Sequence, residues 1–345
     1  MKRLSFALLL WAAAPAGAVF AQAGFDVISL YEGSPKRGSI VEMSKDSVGL
    51  DVAGVTTRTE VGEIKRVTFS DAPPLLTSAQ TSIASGQLED AMEKLKQIDK
   101  GSIQRDIVAQ EVDYYLAYCA TKLALAGSFD QTVAARAILP FANNTGSYHY
   151  YEANELMGDL AAAVGKPSLA QTHYSKIGEA PWPEFKMRAS VLEGQALLNQ
   201  DMFREAGQKF QSVVTQNLNT PTATRQKELA NLGMAKCFAA LDKAPQGVEM
   251  VEKIIANGDS RDGELFARAY NALGFCHLKA GNSKDALLAY LHVDLMFYQE
   301  PAQHAEALYY LRTLWKDAND AKRALSARTL LKQRYAGSAW ASRAD

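Results

Sequence analysis

The sequence predicts a mainly α-helical chain that carries a small β module near its N-terminus. Residues 25–70 alternate apolar and polar side chains with the period of two that β-strands require. From Leu75 onward, apolar residues recur at i, i+3, i+4 and i+7, which indicates amphipathic helices. Within this helical part a pattern of small and aromatic residues returns about every 39 residues, and such a period predicts an array of repeated units.

The composition is that of an ordinary folded protein. Of its 345 residues, 48% are hydrophobic and 22% are charged, a balance that supports a packed core. The 37 basic and 38 acidic residues give a net charge of −1. This charge argues against general nucleic-acid binding, which needs an excess of cations to neutralise phosphates. Three cysteines are too few for a disulfide framework.

The first 23 residues have the features of an export signal. Lys2 and Arg3 precede an apolar stretch, and residues 21–23 (Ala-Gln-Ala) offer the small side chains that signal peptidases accept. We therefore expect cleavage after Ala23 and a periplasmic mature protein. The alternative is an uncleaved anchor, because residues 4–21 approach the length of a membrane span. No later segment reaches that length, so we expect no membrane span after cleavage.

The β module is predicted to contain five short strands. They are expected at residues 25–30, 37–42, 48–52, 56–60 and 65–69. So many strands in so short a segment fit a meander curled into a half-open barrel of the SH3-like or Sm-like kind. Its thin core should need support from the helices that follow. Two prolines after it mark a boundary, so the predicted units are residues 1–23 (signal), 24–71 (β module) and 72–345 (helical repeats).

The helical motif is clearest in residues 269–290. This copy places Gly274 in a first helix, Gly281 in a turn, and Ala286 and Tyr290 in a second helix. Small residues in both helices let the two backbones approach closely, and the aromatic ring fills the space beside them. The small position of the second helix is expected at residues 91, 132, 170, 206, 247, 286 and 324, with Thr132 replacing the usual alanine.

This pattern resembles the tetratricopeptide repeat, a helix-turn-helix unit of about 34 residues. The resemblance covers residues 75–340 and implies a right-handed α-solenoid of about seven helix pairs. The spacing of 36 to 41 residues is longer than the usual unit. Together with the export signal and the β module, the layout resembles that of exported bacterial tetratricopeptide repeat proteins.

The resemblance also implies a binding surface, because the first helices of such repeats line the inner face of the superhelix. A polar, aromatic-flanked channel of this kind suits an extended peptide or a helix of a partner protein. The repeat register predicts eleven inward, partner-binding side chains: Tyr114, Glu152, Glu155, Asp159, Arg188, Gln195, Asn199, Lys227, Arg268, Asn271 and Tyr309.

No catalytic, metal or cofactor motif is apparent in the sequence. The five histidines form no His-Glu-x-x-His pair, and no Gly-x-Ser-x-Gly elbow occurs. Cys119, Cys237 and Cys276 fall in first helices, where cysteine acts as a small apolar residue. These observations favour a non-enzymatic exported scaffold that binds a protein or peptide, without a cofactor and without nucleic acid.

Two other functions remain open at this point. The protein could be an accessory factor of outer-membrane, secretion or peptidoglycan assembly, because relatives with this repeat serve in those settings. It could also be a carboxylate-dependent hydrolase that uses Glu152, Glu155 and Asp159, which share a helix face; a solvated acidic surface is the simpler interpretation.

The C-terminal segment is basic. Residues 311–345 contain eight basic and three acidic residues. Such a run is most often a solvated helix face, and contact with an acidic partner or envelope polymer is the alternative.

Overall fold

The computed structural model describes residues 24–259 and 261–344, so the predicted export signal lies outside the described residues. The described chain begins with an antiparallel sheet and continues as a row of helices. The strands are β1 (Asp26–Leu30), β2 (Lys36–Met43), β3 (Ser47–Val52), β4 (Val55–Glu60) and β5 (Ile64–Thr68). Each lies within one residue of its predicted bounds at either end.

The sheet is a strongly bent meander. Its strand order is β4-β3-β2-β1-β5, so the last strand returns to pair with the first. Register shifts interrupt the β1–β5 and β2–β3 pairings, and such irregularities bend a sheet. Ile28, Val48, Leu50 and Val67 are fully buried between the sheet and the first helices, where they form one apolar cluster with residues of the helical part.

The helices follow one another as hairpins. Their bounds are α1 (Pro74–Ala84), α2 (Leu88–Lys96), α3 (Asp106–Ala126), α4 (Gln131–Ala142), α5 (Tyr150–Ala163), α6 (Pro167–Gly178), α7 (Pro183–Leu198), α8 (Phe203–Val214), α9 (Pro221–Ala240), α10 (Ala244–Asn257), α11 (Gly263–Lys279), α12 (Ser283–Met296), α13 (Pro301–Asp317), α14 (Ala321–Arg334) and α15 (Ala339–Ser342). Within the described residues, α1 to α14 make seven pairs. The predicted tetratricopeptide-like array of about seven helix pairs after a small β module is therefore confirmed.

Glycines in the first helices let aromatic rings of the second helices pack directly on the backbone. A Cβ atom on Gly158 would lie 2.3 Å from the ring of Tyr174, and one on Gly274 would lie 2.7 Å from the ring of Tyr290. These distances are shorter than any van der Waals contact, so only glycine fits. The predicted role of the small positions is thus visible in the packing.

One predicted small position, Thr132, is wrong. Thr132 is exposed, whereas Ala134 is fully buried at the fourth residue of α4. Ala170 occupies the same place in α6. The error arises at the start of the helix: the side chain of Asp130 accepts a hydrogen bond from the Val133 N–H and thereby fixes Gln131 as the first residue of α4.

Side-chain contacts dock the β module on the helices, as its thin core requires. The Trp182 indole donates to Glu60 over 2.7 Å, and its ring covers Gly62, where a Cβ atom would lie 2.9 Å away. Elsewhere Asp26, which is 1% exposed, accepts hydrogen bonds from the guanidinium of Arg105 at 2.8 and 3.0 Å. The docking joins β1 to the residue that precedes α3.

The helical array also closes on itself. The Gly337 N–H donates to the Gly127 carbonyl oxygen at 3.2 Å, and the Gln131 side chain donates to the Gly337 carbonyl oxygen at 3.1 Å. Ala126, the last residue of α3, belongs to the same apolar cluster as residues of α13, α14 and α15. The array therefore completes one turn in which its C-terminal end meets its first long helix.

The inner face of the helical array as a candidate binding site

The odd-numbered helices from α3 to α13 form the inner face. Helix α3 contacts α5, α9 contacts both α7 and α11, and α13 contacts α11 and returns to α3. These helices come from different repeats, so their polar side chains meet although they are far apart in the sequence. We call this surface, with the charged residues described below, the inner face.

Helix α3 presents Lys122 to this interior. Its ammonium group lies 5.7 Å from the centre of the Tyr118 ring, one helical turn earlier. Interaction with Tyr118, then with Asp159 of α5 and Glu264 of α11, raises the pKa of Lys122 although burial opposes its charge. Within the described part of the chain, Lys122 forms no hydrogen bond and no ion pair. It is a cation in an electronegative environment whose direct contact is the Tyr118 ring rather than a carboxylate.

Helix α5 supplies three carboxylates at helical spacing. Glu152 accepts a hydrogen bond from the Tyr114 hydroxyl at 2.5 Å, and Asp159 accepts one from the Tyr174 hydroxyl at 2.7 Å. Glu155, between them, pairs with Arg188 of α7. Each of the three carboxylates therefore has its own donor.

The environments of Glu152 and Asp159 drive their pKa values in opposite directions. Burial opposes the charge of Glu152, but His149, whose Nδ1 lies 3.7 Å away, and the hydrogen bond from Tyr114 lower the pKa of Glu152 to about 2. Burial is also the largest influence on Asp159; with the charge of Glu155 it raises the pKa of Asp159 to about 6. Helix α5 thus contributes to the inner face one firmly ionised carboxylate, Glu152, and one that titrates near neutrality, Asp159.

The opposite side of the interior is formed by α9 and α11. Arg268 pairs with Glu264 at 3.0 Å, and Arg225 pairs with Glu264 at 3.1 Å and also with Asp262. The charge of Arg268, followed by those of Lys122 and Arg225, outweighs burial and lowers the pKa of Glu264 to about 2. The charge of Arg268 also acts on Asp159 across the interior.

Helix α13 extends the network toward the closing end. Lys236 of α9 pairs with Glu306 at 2.7 Å, and both side chains are largely buried. Asn271 of α11 donates to the Gln303 carbonyl oxygen at 2.9 Å and contacts Glu306 at 3.5 Å. Charged groups of both signs therefore alternate around the whole turn.

The structure brings together some of the eleven predicted side chains and not others. One charged field contains Glu152, Glu155, Asp159, Arg188 and Arg268. Two of the other six are buried and touch the network only through their polar ends: Tyr114 through Glu152, and Asn271 through Glu306. The remaining four make other contacts: Gln195 pairs with Asn199 at 3.4 Å, Lys227 contacts Asn219 at 3.4 Å, and Tyr309 packs on Trp340.

Sequence reasoning missed several residues of this network. The omitted residues are Lys122, Arg225, Lys236, Glu264 and Glu306. A signal for Lys122 is present in the sequence, because Tyr115, Tyr118 and Lys122 recur at i, i+3 and i+7 on one face of α3. The prediction used Tyr114 instead, which turns into the core and reaches the inner face only through its hydroxyl.

The three cysteines lie away from this network. Cys119, Cys237 and Cys276 are buried, and burial raises the pKa of each thiol to about 12. Such thiols remain protonated at neutral pH and act as small apolar residues.

No protein-family model matches the chain, and no curated protein shows a significant match. Solved structures similar to it include a tetratricopeptide repeat protein from Parabacteroides merdae ATCC 43184 (15% identity, TM-score 0.48, 75% of this chain and 91% of that chain). Another is a Rap protein complexed with the competence and sporulation factor (13% identity, TM-score 0.47, 77% and 76%). A third is PilF of Pseudomonas aeruginosa (17% identity, TM-score 0.33, 78% and 94%).

Among the described residues, no helix combines the length and the apolar composition needed to cross a bilayer.

Proposed function

We propose that this protein is a non-enzymatic scaffold that binds a protein or peptide partner on the inner face of its helical array. The main support is the convergence of charged side chains from α3, α5, α7, α9 and α11 on one face of the array. Lys122 is the most informative of them, because its cation is held there without an ion-pair partner in the described structure. Its raised pKa keeps the Lys122 ammonium group charged, so this cation is available to pair with an anionic group of a partner.

The mixture of charges indicates the class of partner. An extended peptide presents side chains and backbone groups of both polarities along its length, and peptide-binding grooves pair with them in alternation. A carboxylate of the partner would pair with Lys122, whereas a basic side chain would pair with Asp159 or Glu155. Arg188 and Arg268 already have carboxylate partners, so they would exchange them on binding.

The proposal includes export to the periplasm. It is supported by the basic, apolar and small-residue segments of residues 1–23. Cell fractionation tests this part: the processed chain should appear in the soluble periplasmic fraction, beginning at Gly24. Recovery with the cytoplasm, at full length, would contradict it. A processed chain that sediments with the envelope would favour the accessory role in envelope assembly.

Affinity capture tests the binding function. The mature chain is immobilised and incubated with extract of the source cells, and retained proteins are quantified for wild type, Lys122→Gln and Arg204→Gln. Arg204 is exposed on the outer helix α8 and serves as the matched control. Loss of a charge-assisted contact should weaken binding roughly tenfold or more for Lys122→Gln and leave the control unchanged. A wild-type chain that retains no discrete protein would contradict the proposal, as would equal retention by both variants.

A further inference from the structure

The outer surface carries a second feature, an apolar groove between α12 and α14 that is separate from the inner face. Helix α13 forms its floor, and its volume is about 400 Å³. The residues that define it are Leu291 and Leu295 of α12, Trp315 of α13, and Arg323, Ala327 and Leu330 of α14. Small side chains on α14, including Ser326, keep the groove open.

Large apolar side chains along the groove are exposed to solvent. Leu295 is 67% exposed, and Leu288, two helical turns earlier on α12, is 56% exposed. Leu330 on the opposite wall is 37% exposed. A monomeric protein rarely leaves aligned leucines exposed beside a recess, and such a surface marks an interaction site.

The walls of the groove are basic. Arg323, Ala327, Leu330 and Arg334 recur at i, i+4, i+7 and i+11, so they share one face of α14. Lys284, one turn before Leu288, places a third cation on the facing helix. Arg323 lines the groove itself. Lys284, in the first turn of α12, and Arg334, in the last turn of α14, lie on the same helix faces just beyond the lining residues, toward the two ends of the groove.

Asp294, the one carboxylate among the described residues that line the groove, does not offset this charge. Asp294 lines the groove, but its Oδ1 is 2.8 Å from the buried Nε2 of His304 and is engaged there. The guanidinium of Arg323 lies 4.6 Å from the centre of the Trp315 ring, and its salt bridge with Asp320, at 3.5 Å, is exposed and therefore weak. Helix α14 itself contains five basic residues and no acidic one.

We propose that this groove binds one amphipathic helix of a partner protein, with an apolar stripe on the floor and acidic residues toward both ends. Along α12, the distance from Lys284 to Leu295 is about 17 Å, which is the length of about three turns of a bound helix. Leucine, methionine or phenylalanine at i, i+3 or i+4, and i+7 would contact Trp315 and the exposed leucines. Glutamates or aspartates beside that stripe would meet the cations. A lipid surface fits less well, because a flat bilayer does not enter a recess.

A selection experiment tests this inference independently of the inner face. A displayed library of helical peptides of about 18 residues is selected on the full mature chain, and the enriched peptides are measured by fluorescence anisotropy. Ser326→Trp fills the groove from an exposed position. Leu325→Trp is the matched control, because Leu325 is 62% exposed on the opposite face of the same helix. Melting curves verify that both variants fold.

The expected result has three parts. Enriched peptides carry apolar residues at helical spacing and are net acidic, Ser326→Trp weakens them at least about tenfold, and Leu325→Trp does not. Replacing the acidic residues of the peptide by lysine weakens binding by a similar factor. Enrichment of neutral or basic peptides, or binding that survives Ser326→Trp, would overturn the proposal.

Two further measurements test whether something other than a partner helix occupies the groove. Flotation with phosphatidylglycerol vesicles that Ser326→Trp abolishes would replace the partner helix with a lipid surface. Sedimentation that shows a dimer dissociated by Ser326→Trp would replace it with a second copy of this chain. Either result overturns the inference as stated. A monomeric protein that does not bind the vesicles and does bind acidic helical peptides supports it.

Discussion

Gly127 and Gly337 are in backbone contact, although almost the entire helical array separates them in the sequence. The Gly337 N–H donates to the Gly127 carbonyl oxygen at 3.2 Å, and a Cβ atom on Gly127 would lie 2.7 Å from the Ser338 nitrogen. Gly127 also has a φ of 86°, a conformation that other residues adopt at a cost. The close approach of the two ends therefore depends on glycine at this position.

Replacing Gly127 tests the closure. Gly127→Ala should lower the free energy of unfolding by about 3 kcal/mol, from left-handed backbone strain and from overpacking against the C-terminal segment. Gly165→Ala is the control, because Gly165 also has a positive φ of 71° but no atom within 4 Å of the added Cβ. It should cost only the backbone strain, about 1–2 kcal/mol. Urea denaturation measures both, and small-angle scattering should show a larger radius of gyration for Gly127→Ala alone. Equal losses would refute the closure.

The hydroxyl groups of Tyr174 and Tyr290 differ although their rings pack alike. Tyr174 donates to Asp159 at 2.7 Å, whereas the buried Tyr290 hydroxyl has no hydrogen-bond partner among the described residues. Tyr174→Phe should therefore destabilise the protein by about 1–2 kcal/mol, while Tyr290→Phe should be neutral or stabilise it by up to about 1 kcal/mol. Phe210 already occupies the equivalent position on Gly194 and Gly233. Chemical denaturation measures the free energy of unfolding of both variants. A comparable loss of stability in the two would contradict this interpretation.

The repeat register can be tested in the last complete hairpins. Ala286 is fully buried where α12 crosses its neighbours, and Lys284 two residues earlier is exposed. Ala286→Leu should overfill that crossing and cost about 1–3 kcal/mol, whereas Lys284→Leu should change stability little. Thermal melting of the two variants gives the comparison. Similar melting temperatures would show that Ala286 is not a packing position.

Much of this packing could be predicted from the sequence, because it depends on neighbours within one hairpin. Gly158 and Tyr174 are 16 residues apart, and their contact follows from helical periodicity and one turn. The contact of Gly127 with Gly337 could not be predicted in that way, since it depends on the rotation accumulated over all the hairpins between them. Lys122 was missed for a related reason: its neighbours Asp159 and Glu264 belong to other repeats.

Asp159 makes stability depend on pH. Its pKa of about 6 exceeds the ordinary 3.8, so the folded protein binds this proton more tightly than the unfolded chain. The protonated Asp159 carboxyl group therefore contributes its full stabilisation below about pH 4. That contribution to the free energy of unfolding is lost as the pH rises through 6. The Asp159→Asn side chain can still accept the Tyr174 hydrogen bond but carries no charge. The substitution should therefore stabilise the protein by about 1–2 kcal/mol above neutrality, a figure that already allows for partial solvent access, and by little near pH 4.

The measurement is urea unfolding of Asp159→Asn at both ends of that pH range. Glu205→Gln, at an exposed position of α8, is the control and should match wild type throughout. A gain from Asp159→Asn that is the same at low and neutral pH would mean that the charge of Asp159 is not disfavoured in the folded state.

The ion pair between Asp26 and Arg105 should be essential for docking of the β module. Asp26 also accepts hydrogen bonds from the Ile40 and Ser70 N–H groups. Burial alone would raise the pKa of Asp26, but the hydrogen bonds from Arg105, Ile40 and Ser70 outweigh it, so that this pKa is lowered. Arg105→Ala leaves this buried carboxylate without its cation and should cost about 3–5 kcal/mol. The exposed pair of Arg58 with Glu42 offers a control, and Arg58→Ala should leave the free energy of unfolding nearly unchanged.

Limited proteolysis complements the stability measurement for Arg105→Ala. If the sheet detaches, cleavage should increase in the segment between β5 and α1, near Asp71, which also contacts Arg105 at 3.1 Å. An unchanged cleavage pattern together with wild-type stability would show that the apolar cluster holds the module without the ion pair.

The most direct test of partner binding on the inner face is site-specific photo-cross-linking in living cells. A benzophenone amino acid replaces Tyr118, which lines the interior beside Lys122, or Phe203, an aromatic residue at the start of the outer helix α8. The inner-face proposal predicts a discrete protein adduct from position 118, absent from position 203 and lost when Lys122→Gln is added. Adducts from position 203 alone, or equal adducts from both positions, would contradict it.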